Sequence, residues 1–325
     1  MVVAVIGIII YTFRDSARPI FNQLKQTAPL TVIGICLMAA AYQVIEGWIT
    51  TVLAKQYEPS FTGKMGVTNA FFCSFYRVAT LGSGAGVAAI FYLNEHGVEY
   101  SKGFGLYMLQ YAFHKISIAL FSVIFFVCNW SFMWEHYNGY AGLLAAGYFI
   151  TLLITLCLIL FCCSTRFHKI IFALLDFAND RFRGKFNSAI FELHGQCDMM
   201  ENASKYLLKK RRTVLLIILM NLLKFCFWYG IPYLVLRETG SVSLAQVMAI
   251  TSLSVMLAAV IPSPAGIGST EFVLIALFSG ITGTGLAGSA SLLYRFGTFV
   301  FPFLVGGVIV LARHFRAKRV AFVQK

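Results

Sequence analysis

Hydrophobic residues occur along this chain in long runs, and polar residues are confined mainly to the joints between those runs. A helix needs about 20 residues to cross a membrane. The runs predict seven membrane-spanning helices, at 1–13, 28–54, 103–129, 139–165, 212–237, 243–261 and 284–311. Because the runs do not alternate apolar and polar positions, they indicate helices and not barrel strands. The pattern predicts an all-α, polytopic transmembrane helical bundle of about seven spans.

Two segments rich in glycine or proline interrupt this pattern. Proline ends a helix and glycine lets the backbone turn tightly, so we predict two broken or re-entrant segments. The residues expected to act as hinges or gates there are Gly82, Gly84, Gly86, Pro262, Pro264, Gly266 and Gly268. After the second break we expect a new helix from about Ser269 to Phe278, which is too short to cross a bilayer.

The two breaks are about 182 residues apart, and the flanking apolar runs keep that offset. We therefore predict one membrane domain made of two pseudo-repeat halves and a linker, with bounds 1–165, 212–325 and 166–211. Broken hydrophobic segments at corresponding positions of two halves are the best sequence pointer to a transporter site.

Composition and charge place the chain in a membrane and orient it. Hydrophobic residues make up 59% and charged residues 12%, against roughly 25% charged in soluble domains. The basic residues cluster in 166–212 and 313–319. The positive-inside rule therefore predicts a protein of the cell membrane with the linker and the C-terminus on its cytoplasmic side. The aromatic segment 129–140 has no Lys or Arg and belongs outside. Residues 166–185 have amphipathic spacing that predicts a helix lying on the inner membrane surface.

The same rule leaves a conflict over topology. It places residue 54 outside and residue 103 inside, but residues 237 and 284 both outside. A parallel repeat forbids an odd number of crossings around one break and an even number around the other. Either one break re-enters while the other crosses, or one loop lies on the opposite side.

Several classes of chemistry are disfavoured by the motifs. The eight cysteines form no CxxC pair, and GSGAG at 82–86 lacks the lysine of a phosphate-binding loop. There is no HExxH, nucleophile elbow or acidic metal cluster, and the basic linker lacks the platform of a nucleic-acid site. We expect no metal, no cofactor, no nucleic acid and no catalysis in this chain.

The second break carries the sharpest candidate residues. Glu271 lies in the first turn of the expected short helix, where Ser269 or Thr270 is available as a cap and unpaired amides form an anion site. An intramembrane carboxylate marks function by default, and its expected partner is Arg295, the only charge within 284–311. Arg295 suits a lipid phosphate. The alternative is an ion pair that only fastens two helices.

Further candidates come from the first half and from the repeat. Arg77 precedes the first break by one turn and Ser83 lies within it; Arg77 is expected to face the same cavity, or alternatively to extend toward the membrane surface. Tyr294 falls opposite Tyr111 at an offset of 183 residues. Other buried-charge candidates are Glu46, His114, Lys115 and Lys224, with helix packing as the alternative for the histidine.

At these motifs the chain resembles a known family. PSPAGIGSTE followed by ASLLYRFGTFVFPFLVGG resembles the C-terminal signature of the flippase-type membrane domain of the lysylphosphatidylglycerol synthase family. FYRVATLGSGAGVAAIFYLNEHGV resembles its N-terminal glycine motif, but that family commonly has a Pro/Gly run and a Glu where this chain reads TLGSGAGVAA. The resemblance extends over essentially the entire chain.

The resemblance implies a function. Full-length relatives make aminoacylated phosphatidylglycerol in a soluble C-terminal domain, which we expect this chain to lack, and move it outward with the membrane part. The expected function is a flippase for an aminoacylated or other polar phospholipid, contributing to resistance to cationic peptides. A separate lipid synthase and a second copy of the chain are candidate protein partners. The alternatives are the membrane component of a phosphatidylglycerol lysyltransferase system and an ion-coupled transporter of a soluble solute.

Overall fold

The computed structural model describes residues 17–181, 187–237, 242–258, 261, 263 and 266–323. These residues form α-helices joined by short turns, with no strand among them, so the predicted all-α polytopic bundle is confirmed. The predicted first span, 1–13, lies outside the described residues.

Seven helices make up the first half, and a single 3₁₀ turn at Asn138–Tyr140 joins the last two. They are α1 Ala17–Gln26, α2 Pro29–Ala54, α3 Gly63–Ala79, α4 Gly84–Glu95, α5 Tyr100–Cys128, α6 Trp130–Tyr137 and α7 Ala141–Cys163. Pro29 opens α2 at a position where its missing N–H costs no helical hydrogen bond.

The linker contributes two helices and the second half six, with a π turn at Phe296–Val300 between the last two. They are α8 Thr165–Arg181, α9 Asn187–Lys209, α10 Arg211–Tyr229, α11 Ile231–Leu236, α12 Leu244–Ala258, α13 Ser269–Thr282, α14 Thr284–Arg295 and α15 Phe301–Val323. Gly230 separates α10 from α11, and the two run on as one apolar segment.

Five helical segments of the described chain are long and apolar enough to cross a membrane. They are Pro29–Ala54, Tyr100–Cys128, Ala145–Cys163, Arg211–Leu236 and Thr284–Phe315, and each corresponds to a predicted span. The span predicted at 243–261 is different. The helix found there, α12, has 15 residues and is about 22 Å long, short of the roughly 30 Å hydrocarbon core.

Four shorter helices flank the two breaks, α3 and α4 around the first and α12 and α13 around the second. Helix α3 packs between α2 and α15, while α13 packs against α12 and α14. The contact between α2 and α3 is close because two glycines face each other: a Cβ on Gly47 would lie 2.5 Å from the Val67 nitrogen, and one on Gly66 would overlap the Gly47 carbonyl.

The helix bounds follow the predicted repeat offset. Segment Pro29–Ala54 and segment Arg211–Leu236 both contain 26 residues, and their first and last residues are each 182 positions apart. Gly84, where α4 begins, precedes Gly266 by the same 182 positions. These correspondences support the two pseudo-repeat halves, which stay a prediction.

The linker helices pair through a buried polar cluster. His168 on α8 places Nδ1 2.9 Å from the Glu201 carboxylate of α9 and Nε2 2.6 Å from the Phe161 carbonyl oxygen. Burial raises the pKa of Glu201, but hydrogen bonds from Lys205 and Thr165 outweigh it and hold the pKa below its ordinary value. The cluster fixes α8 against α9.

Helix α8 has the amphipathic character predicted for it. One face is buried through His168 and Phe172, whereas Ile170, Leu174 and Phe177 are exposed. Apolar side chains exposed at positions i, i+4 and i+7 of a basic helix suit the boundary between headgroups and acyl chains. Its place at the inner membrane surface stays a prediction.

We predict that Gly47→Ala lowers the stability of the detergent-solubilised protein by about 1–3 kcal/mol, because the added methyl group must push α2 away from α3. The measurement is thermal unfolding followed by circular dichroism. Gly142→Ala is the matched control, since a Cβ there meets nothing within 4 Å. Equal melting temperatures for the two variants would contradict the close approach of α2 and α3.

Candidate functional site

Two adjoining polar chambers lie among the membrane helices. The first, of about 370 Å³, is lined mainly by α2, α3, α4 and α5. The second, of about 510 Å³, is lined by α5, α10, the second break and the α14–α15 region. Five residues line both chambers and mark their boundary: Tyr42, Arg77, Gly82, Tyr111 and His114.

The first break is a tight turn built by two residues. Leu81 and Gly82 have φ values of 53° and 103°, and the Gly82 N–H donates to the Arg77 carbonyl oxygen at 2.7 Å. Gly84 and Gly86 instead lie within α4, and a Cβ on Gly86 would lie 2.8 Å from the Tyr107 ring. Of the three glycines predicted as hinges here, Gly82 makes the turn and the other two permit close packing.

The Arg77 side chain faces the chambers and contacts the other half of the molecule. Its Nη2 donates to the Thr298 carbonyl oxygen at 3.2 Å. Thr298 lies in the π turn at Phe296–Val300, so this bond joins the end of α3 to that turn. Its Nε is buried and has no hydrogen-bond partner among the described residues. The expectation of a cavity-facing arginine fits this geometry better than the alternative of one extended to the membrane surface.

The second break contains two left-handed glycines, Gly266 and Gly268, with φ values of 71° and 83°. Pro262 and Pro264 lie outside the described residues. Helix α13 begins at Ser269, as expected from the sequence, and extends four residues past the expected end, to Thr282.

The capping expected at this helix start is wrong. The N-cap is Gly268, and its N–H donates at 3.0 Å to the carboxylate of Glu271, which lies three residues later. The Ser269 hydroxyl bonds to the Ser263 hydroxyl at 2.6 Å instead of capping the helix. Because a charged carboxylate already faces the positive end of α13, this helix start is not the bare anion site that the sequence suggested.

The same carboxylate pairs with Arg295, as predicted. Glu271 Oε1 lies 3.1 Å from Arg295 Nε, and the side chains are 18% and 8% exposed. The guanidinium also lies over the Phe299 ring at 3.7 Å, and its Nη2 has no hydrogen-bond partner among the described residues. Glu271 thus joins the start of α13 to the end of α14 and leaves part of the guanidinium free for another acceptor.

The remaining predicted residues divide between the chamber and other places. Thr270 and Tyr294 line the second chamber together with Arg295. Ser83 is exposed and donates to the Thr80 carbonyl oxygen at 2.9 Å, and Ser269 is buried against Ser263; neither lines the two chambers. The structure therefore brings Arg77, Arg295, Thr270 and Tyr294 together at the second chamber. Ser83 and Ser269 lie elsewhere.

A second ion pair joins residues that the sequence analysis predicted only as separate charged candidates. Lys224 on α10 is fully buried and pairs with Glu46 on α2, while its Nζ lies 3.0 Å from His114 Nδ1 on α5. Gln110 donates to the other Glu46 oxygen at 2.8 Å and to Thr50 at 3.1 Å. Residues 46 and 224 are 178 positions apart, so no local sequence signal indicates the pairing.

The chamber walls hold aromatic and basic groups beside these pairs. Lys115 lines the second chamber and lies over the Tyr111 ring at 5.3 Å. Within the described part of the chain, no group of three His, Cys, Asp or Glu residues is arranged to hold a metal ion. All eight cysteines are free thiols.

Comparison with known proteins gives one family match. A family model described as "Lysylphosphatidylglycerol synthase TM region" matches residues 1–306, which include both breaks and both ion pairs. Comparison with curated proteins gave no match.

We predict that Lys224→Met lowers stability by about 1–3 kcal/mol, because it leaves the Glu46 carboxylate, which is 23% exposed, without its cation among the membrane helices. Adding Glu46→Gln should restore much of the loss, since the double variant holds no unpaired charge. Thermal unfolding of the single and double variants in detergent measures both effects.

Lys102→Met serves as the control for this pair. Lys102 and Glu99 form an ion pair of the same kind but are 38% and 61% exposed, so the loss should stay below about 1 kcal/mol. A double variant no more stable than Lys224→Met alone would contradict charge compensation as the role of Glu46.

Proposed function

Because this chain belongs to the lysylphosphatidylglycerol synthase transmembrane-region family, we propose that it moves a polar phospholipid between the two leaflets of its membrane. The family match and the membrane helices establish a membrane protein related to the synthesis or movement of lysylphosphatidylglycerol. Translocation is the further step, and the geometry of the chambers supports it.

One observation carries the proposal. Two guanidinium groups, Arg77 beside the first break and Arg295 in the second half, line the same chamber within the membrane part. Each has a buried nitrogen with no acceptor among the described residues. A guanidinium is costly in an apolar medium unless it meets an acceptor, and a phosphate offers several oxygens in a matching planar arrangement.

In this proposal the headgroup enters the chambers while the acyl chains stay in the hydrocarbon, so only the headgroup needs a polar path. The phosphate lies between Arg77 and Arg295. Glu271 holds the Arg295 guanidinium in place and balances its charge when no lipid is bound. The turns at Gly82, Gly266 and Gly268 act as hinges on either side of the headgroup path.

The setting of the protein is the one expected from the sequence. The protein lies in the cell membrane with the linker and the C-terminus in the cytoplasm, supported by the basic clusters there. A separate synthase supplies the lipid if the lipid is aminoacylated. Such a cationic lipid, once outside, reduces the negative surface potential and with it the binding of cationic peptides.

A rival function is ion-coupled transport of a soluble solute, which broken helices equally permit. The Glu46–Lys224–His114 cluster is the observation that favours it, because buried titratable groups in contact serve as proton relays in transporters. Movement of labelled lipid by the purified protein separates the two functions.

We expect Arg295→Ala to slow lipid translocation by about tenfold to a hundredfold, since a hydrogen bond to a charged group contributes about 1.5–3 kcal/mol. The assay reconstitutes the protein in liposomes with a trace of acyl-labelled fluorescent phospholipid. Dithionite then quenches the outer-leaflet label, and the rate at which the inner-leaflet label becomes accessible measures translocation.

Two further variants separate function from folding. Arg295→Lys keeps the charge but loses the planar pair of donors, so it should recover only part of the rate. Lys102→Gln, at an exposed charge away from the chambers, should leave the rate unchanged. Liposomes with wild-type protein that translocate no faster than protein-free liposomes would refute the proposal, and a normal rate for folded Arg295→Ala would refute the site.

A further inference from the structure

The charges around the two chambers do not match a cationic headgroup. Among the described residues, four cations and two carboxylates line the chambers or pair with a lining residue, so the site carries a net positive charge. They are Arg77, Lys115, Lys224, Arg295, Glu46 and Glu271.

Both carboxylates are already committed to cations. Glu46 pairs with Lys224, and Glu271 pairs with Arg295 and the Gly268 N–H. Arg77 and Lys115 form no ion pair with a described residue: the first donates to a carbonyl oxygen and the second lies over an aromatic ring. A ligand ammonium group would therefore find no free carboxylate, whereas a phosphate would find two cations without a carboxylate partner.

The first chamber adds uncharged polar side chains to the charged groups. Gln43 and Asn69 line it and are 3% and 4% exposed. Cys73 donates to the Asn69 oxygen, but neither amide nitrogen donates a hydrogen bond to a described residue. Both residues line the open space of this chamber, so their amide nitrogens can donate to a ligand that carries acceptors such as hydroxyl oxygens.

On this evidence, and resting on the proposed function, we infer that the ligand is an anionic phosphodiester lipid with an uncharged, hydroxyl-bearing headgroup. The phosphate lies at Arg77 and Arg295, and the headgroup hydroxyls reach Gln43 and Asn69. Arg77 lines both chambers, so phosphate and headgroup can be held at once. Phosphatidylglycerol has this chemistry, whereas its lysyl ester carries two ammonium groups and a net positive charge.

The first experiment compares three lipids in the liposome assay: acyl-labelled phosphatidylglycerol, lysylphosphatidylglycerol and phosphatidic acid. We expect phosphatidylglycerol to move about tenfold faster than the lysyl ester. Lysylphosphatidylglycerol moving as fast or faster would overturn the inference and leave the proposed function standing.

The second experiment decides the inference even if no lipid moves and the proposed function fails. Detergent-solubilised wild-type protein is titrated by calorimetry with glycerophosphoglycerol, with its lysyl ester and with inorganic phosphate. Glycerophosphoglycerol should bind about tenfold tighter than either of the other two. Tighter or equal binding of the lysyl ester overturns the charge argument, and equal binding of inorganic phosphate overturns the role of the hydroxyl groups.

The third experiment tests the first chamber directly. Gln43→Leu and Asn69→Leu should each reduce the translocation rate of phosphatidylglycerol about tenfold. The rate for phosphatidic acid, which lacks the hydroxyl-bearing headgroup, should stay unchanged. The retained rate also shows that the variants fold. Asn138→Leu, in the exposed turn at Asn138–Tyr140, is the matched control. An unchanged ratio of the two rates in both chamber variants overturns the assignment.

Discussion

Compensation of buried charge is the constraint on which this structure depends. An ionised group in an apolar interior costs several kcal/mol unless a partner meets it, and two pairs meet that requirement. Glu46–Lys224 joins α2 to α10, and Glu271–Arg295 joins α13 to α14. These two pairs neutralise four of the six charged groups at the chambers, so polar chambers can exist among helices whose outer faces are apolar.

The helix ends near the two breaks and the Glu271–Arg295 ion pair together position the two arginines of the chambers. Two short helices each carry, near their C-terminal end, an arginine that lines the second chamber. Arg77 lies in the last turn of α3 and Arg295 in the last turn of α14. Close packing of α2 on α3 through Gly47 and Gly66 fixes the first of these positions, and the carboxylate of Glu271 fixes the second.

The length of an apolar run is a local property, which is why the sequence predicted the five spans to within a few residues. The Glu271–Arg295 pair was also predictable, since each is the conspicuous charge of its segment. The Glu46–Lys224–His114 cluster was not, because the packing of α2, α5 and α10 decides which charges meet. The cap of α13 was missed for a related reason: Glu271 serves both its cation and a backbone N–H, and residue type alone does not show that competition.

The bond from Arg77 to the Thr298 carbonyl has a mechanical consequence. It crosses from the end of α3 to the π turn before α15. A slide of α3 by one residue, about 1.5 Å along its axis, would stretch this bond unless the π turn followed. This bond thus links the positions of the two turns, so a rearrangement at one of them must either break the bond or be accompanied by movement of the other.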